Sequence, residues 1–98
     1  MDGLAIETEL ARVFNHEFAI EAELRRLFTR ELDADLSALA ADESLREALG
    51  VDSLRVLELV AVAEWHFDVS LDDRWLGRPL TLRRLVAAIA AAKEERRP

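Results

Sequence analysis

Apolar residues return at helical spacing along most of this chain, and that periodicity restricts it to a bundle of helices. In SLRVLELVAVAEWHF, residues Val56, Leu59, Val60, Ala63 and Phe67 share one side of a helix predicted from about Ser53 to Phe67. Leu82, Leu85, Val86, Ile89 and Ala90 form another stripe, with Thr81 placed as its N-cap. Near the N-terminus, Leu4, Ile6, Leu10, Val13 and Phe14 fall roughly on one helical face. That segment is then repeated: Ile6, Glu7, Glu9, Leu10, Arg12, Phe14 and Glu17 recur as Ile20, Glu21, Glu23, Leu24, Arg26, Phe28 and Glu31. The offset of fourteen residues is two heptads, so both copies present one face, along a single long helix or two abutting ones. Two copies are too few for a solenoid.

The intervening DADLSALAADESLREALG has only a weak apolar beat at Leu36, Leu39, Leu45 and Leu49. It predicts a long loop with one irregular turn, closed by Gly50, whose leucines pack on the bundle. In FDVSLDDRWLGRPLT, Ser70 or Asp72 starts a short helix that Gly77 and Pro79 end. With 98 residues, three Gly and two Pro, the chain supports one all-α core, expected to be modest in stability. The layout is an N-terminal helical extension over 1–18, the bundle over 19–95 and a charged tail over 96–98.

Composition removes several functions. The absence of Cys excludes disulfides, thiol catalysis and thiolate metal sites. His16 and His66 stand alone, without a carboxylate cluster at ligand spacing, so no metal is expected, and the acids are dispersed rather than paired for acid–base work. The start MDGLAIETEL is acidic and lacks a secretory core, and no apolar run is long enough for a bilayer; a cytoplasmic monomer is expected. From Glu31 to Asp73, twelve acids face two arginines within an overall charge of −7. That acidic middle argues against nucleic acid and favours partners with basic surfaces.

The stretch LGVDSLRVLEL raises a sharper question, because Ser53 stands where an apolar helix begins. As a nucleophile it lacks a nearby His and a nucleophile elbow, so no catalytic residue is assigned. As structure, Asp52 and Ser53 are both good N-caps. A serine at a helix N-terminus also sits among unpaired N–H groups at the positive end of the dipole, where a phosphate ester on its hydroxyl is favoured.

The segment LREALGVDSLRVLELV resembles the attachment motif of acyl carrier proteins, Leu-Gly-x-Asp-Ser-Leu followed by a Glu-Leu pair. LRRLFTRELDADLSAL, HFDVSLDD and TLRRLVAAI are similar, in register, to that family's first helix, its passage into the short third helix, and its last helix. The resemblance implies a four-helix bundle with three longer helices and one short third helix, residues 19–95 forming a phosphopantetheine-attachment carrier domain. It implies that Ser53 carries 4′-phosphopantetheine, added from coenzyme A by a phosphopantetheinyl transferase, and that the chain is not an enzyme. Asp52 and Glu58 match acidic positions presented to transferases and synthases, and Leu54 matches the apolar position beside the arm. Val60, Ala63, Phe67, Leu85 and Ile89 would line the space for an acyl chain, where burial contributes about 0.8 kcal/mol per methylene.

The chain departs from the family at Arg55, where an acid is common, and at Trp65 and DDRWLGRP, with Arg74, Trp75 and Arg78. Arg55, Val62, Trp65 and Trp75 are therefore candidate partner contacts, since Trp and Arg are frequent interface anchors. These departures favour a specialised lipid, polyketide or secondary-metabolite pathway over housekeeping fatty-acid synthesis. On charge alone, Arg55→Asp is expected to speed modification by a general transferase. Two alternatives stand beside this reading: a peptidyl or aminoacyl carrier using the same arm, and an unmodified helical adaptor indifferent to Ser53→Ala.

Overall fold

The computed structural model describes residues 2–71 and 79–95, with the side chains of 2–15 excepted. Among the described residues the regular structure is all α: α1 Asp2–Leu32, α2 Leu45–Leu49, α3 Ser53–Phe67 and α4 Leu82–Glu95. The expected short helix around 72–77, with Trp75, Arg74 and Arg78, lies outside the described residues.

The two heptad copies fall on a single helix that runs unbroken through residue 18. At 1.5 Å per residue α1 is about 46 Å long, roughly twice the length of α3, and the chain's longest dimension is 50 Å. It stops at Asp33, whose left-handed backbone (φ 50°) turns the chain so that the Ala34 N–H donates to the Thr29 carbonyl. The second heptad copy supplies Ile20, Leu24, Leu27 and Phe28 to the core, against Val56, Leu59, Val60, Ala63 and Phe67 of α3 and Leu82, Leu85, Val86 and Ile89 of α4. α3 runs antiparallel to α1, because Arg55 reaches Glu31 at one end while His66 meets Glu23 at the other.

The segment after α1 packs through its leucines, with Leu36 and Leu45 buried and Leu39 and Leu49 partly so. Its irregular turn is the short helix α2. The backbone then fastens it to the start of α4: Leu45 N–H donates to the Leu80 carbonyl at 2.8 Å and Arg83 N–H to the Ala41 carbonyl at 3.0 Å. Arg25 adds a 2.9 Å bond to the Leu36 carbonyl. Thr81 caps α4 as its sequence position predicts, its hydroxyl accepting from Arg84 N–H at 3.1 Å. No polar or charged residue is buried among the described residues, so hydrophobic burial holds the elements together.

Candidate functional site

The turn into α3 is built by two devices in succession. Gly50 ends α2 in the left-handed region (φ 64°), and its N–H and that of Val51 return to carbonyls of α2. Asp52 is then the N-cap: its backbone is extended and its carboxylate accepts the Arg55 N–H at 2.8 Å. Ser53 is consequently the first residue of the helix rather than its cap, and it is exposed. Both residues were capping candidates by sequence; the geometry assigns the cap to Asp52 and leaves the serine hydroxyl unspent at the positive helix end.

Around this serine α3 presents an outer face. Leu54 is 65 % exposed and Trp65 is 85 % exposed. They are eleven residues apart, so on an ideal helix they lie within about 20° of each other and about 16 Å apart along the axis. Leu57, half exposed beside Leu54, belongs to the same apolar edge and was missed in the sequence because it lies off the Val56–Phe67 stripe; its i+3 spacing from Leu54 was the available signal. Glu58 is exposed on this face, whereas Val62 is partly buried and packs against the core.

Arg55 is placed differently from a free surface cation. Its Nη1 lies 2.8 Å from Glu58 Oε2 and its Nη2 donates to the Glu31 carbonyl at 3.1 Å. The candidate lining residues Val60, Ala63, Phe67, Leu85 and Ile89 are all buried and belong to one apolar cluster. Lys93 covers its far end, with Nζ 5.7 Å from the Phe67 ring centre.

His66 sits at the other end of α3, its Nε2 2.8 Å from Glu23 Oε1 and its ring edge-on to Phe67 at 4.9 Å. It borders an open groove of about 650 Å³ along α1, which also takes in Arg26, Arg30 and Asp35 and none of the α3 N-terminal residues. Asp35 accepts the Ser37 N–H at 2.9 Å, and that bond holds its carboxyl below the ordinary carboxylate value. Among the described residues no group of three or more His, Asp or Glu is placed to hold a metal ion, and no helix is long and apolar enough to cross a membrane.

Comparison with known proteins covers the same region. The family model for the phosphopantetheine attachment site matches residues 22–89, from within α1 to within α4. An acyl carrier protein of Exiguobacterium sp. is 36 % identical over 59 residues, covering 60 % of this chain and 75 % of that protein. One from Streptomyces coelicolor is 37 % identical over 60 residues, covering 61 % and 65 %. One from Aster yellows witches'-broom phytoplasma is 38 % identical over 56 residues, covering 57 % and 74 %. No solved structure matches significantly. An all-α bundle, matched over most of its length by the phosphopantetheine-attachment model and by acyl carrier proteins, belongs to the acyl carrier protein family, whose members carry 4′-phosphopantetheine and are carriers rather than catalysts.

Proposed function

We propose that Ser53 is the attachment residue and that the chain holds acyl intermediates in a specialised lipid, polyketide or secondary-metabolite pathway. The observation that carries this reading is the capping of α3 by Asp52, which leaves Ser53 exposed on the first helical turn with its hydroxyl free of that duty. The residues present suit the group: a phosphodiester on Ser53 would lie against the unpaired N–H groups of the α3 N-terminus. Attachment would join Ser53 Oγ to the β-phosphorus of coenzyme A, with adenosine bisphosphate leaving and the hydroxyl proton passing to a base of the transferase. When bound, the arm supplies a terminal thiol that takes acyl cargo as a thioester.

The outer face of α3 is the docking surface in this reading. Asp52 and Glu58 attract transferases, ligases and synthases with basic surfaces, while Leu54 and Trp65 add apolar contact. Val62, partly buried, contributes at the margin, and Trp75 is a further contact by its residue type. The buried group Val60, Ala63, Phe67, Leu85 and Ile89 is closely packed, so an acyl chain enters it only as α3 and α4 move apart. The exposure of Trp65 supports a dedicated partner, because an indole left in water on a docking face contributes most when a pocket receives it. It equally favours the second reading, an unmodified adaptor that binds through that indole.

Intact mass after incubation with coenzyme A, magnesium and a broad-specificity phosphopantetheinyl transferase tests the assignment. The expected result is a gain of one phosphopantetheine in the wild type and none in Ser53→Ala. A wild type left unmodified by both this enzyme and the native host's transferase would favour the adaptor.

A further inference from the structure

We propose that Arg55 is a positioning residue for the attachment turn, a strut that holds the start of α3 against the end of α1. The inference rests on Ser53 being the attachment residue. Three bonds converge on this side chain and its backbone: Nη1 to Glu58 Oε2 at 2.8 Å, Nη2 to the Glu31 carbonyl at 3.1 Å, and its own N–H to Asp52 Oδ1 at 2.8 Å. The Glu31 carbonyl is among the last four of α1, which have no partner within their own helix. The guanidinium satisfies it from across 24 residues of chain.

The need for such a strut follows from the local construction. The turn reaches Ser53 through Gly50, Val51 and Asp52, of which only Val51 is even partly buried, and Ser53 and Leu54 are exposed. The first anchored residue of α3 on its inner side is Val56. On the outer side Arg55 is the residue that joins the cap, the second turn and α1 at once. A planar fork bridges two acceptors in different directions, which an ammonium on a flexible stem does not reproduce. Both side-chain bonds go to this chain rather than to a partner, and the role is geometric rather than one of net charge.

This reverses the expectation drawn from charge alone, under which Arg55→Asp speeds modification. The strut predicts that Arg55→Asp slows it, and that Arg55→Lys, which keeps the charge, fails to restore the rate.

The experiment compares wild type, Arg55→Lys and Arg55→Gln as unmodified proteins, with coenzyme A and a broad-specificity phosphopantetheinyl transferase, reading kcat and KM for the carrier. Both variants are expected to lose about threefold to tenfold in kcat through misplacement of the nucleophile, with KM within about twofold of wild type. The Tm should fall by about 5 °C or less, since a half-exposed ion pair contributes little to stability. In the same unmodified proteins, amide hydrogen exchange at Arg55 and Val56 should quicken in both variants.

A wild-type kcat in Arg55→Lys, or a lowered KM in Arg55→Gln, would overturn the proposal in favour of a surface charge read by the transferase. Unchanged exchange at Arg55 and Val56 in both variants would overturn it whatever the kinetics. A wild type that accepts no arm overturns the carrier reading instead, and the exchange measurement then decides the strut by itself.

Discussion

Asp52 Oδ1 accepts the backbone N–H of Arg55 at 2.8 Å, spanning Ser53 without using its hydroxyl. The division of labour between the two adjacent residues is measurable in stability. Asp52→Ala removes the cap and should cost about 1 kcal/mol, with Asp52→Asn or Asp52→Ser recovering most of it. Ser53→Ala, at an exposed first helical position, should stay within about 0.5 kcal/mol of wild type. Urea unfolding of the four variants checks both figures, and equal losses at the two positions would return the capping role to the serine.

A second contrast separates core from the proposed docking surface. Phe28 is fully buried where α1 meets the bundle, and Phe28→Ala should cost about 3–5 kcal/mol, enough to leave so small a domain largely unfolded. Trp65, at 85 % exposure, should tolerate Ala within about 0.5 kcal/mol. Thermal melts of both variants test this, and a loss above about 1 kcal/mol for Trp65→Ala would move the indole from the proposed docking face into the fold's own packing.

The limits of α3 were legible because its apolar stripe starts after a capping residue and its last apolar member, Phe67, precedes a polar break. What stops it there is Asp68 in a left-handed conformation, a signal that is plain for Gly and muted for Asp. The packing of Leu36 and Leu45 was also legible, since leucines amid Asp and Ser have few other reasons to be there. The helical form of Leu45–Leu49 was not, because five residues are too few to establish a period. Nor was the bond from Arg55 to Glu31: the acceptor is a main-chain carbonyl, and every residue type has one. The pairing of His66 with Glu23 spans 43 positions and leaves no local pattern. The candidate attachment residue was thus visible in the motif, while the contacts that hold its turn in place appeared only in three dimensions.

Asp35 offers a test in acid. Its carboxylate accepts the Ser37 N–H, so the charged form is favoured in the folded chain and the carboxyl titrates below its ordinary 3.8. A depressed folded value means that this contribution is present above the unfolded value and disappears as the pH falls through the folded one. The amide of Ser37, followed by NMR, should therefore titrate below 3.8 and shift upfield as the bond is lost. Asp35→Asn should abolish that titration; an inflection at or above the ordinary value would show that the turn does not form in solution.

Gly50 provides the clearest separation of backbone from side-chain effects. A Cβ built on it meets nothing within 4 Å, so steric contact predicts that alanine is tolerated. Its φ of 64° predicts otherwise, because an L-residue in the left-handed region costs about 1 kcal/mol relative to glycine. Gly50→Ala should accordingly lower the Tm by about 4–8 °C for a domain of this size. Gly50→Asn should lose less, since asparagine adopts this conformation more readily. An alanine variant as stable as wild type would mean that the connection from α2 to α3 relaxes to another path, and the rate of the proposed arm attachment at Ser53 in that variant should then fall, because this turn sets where the serine stands.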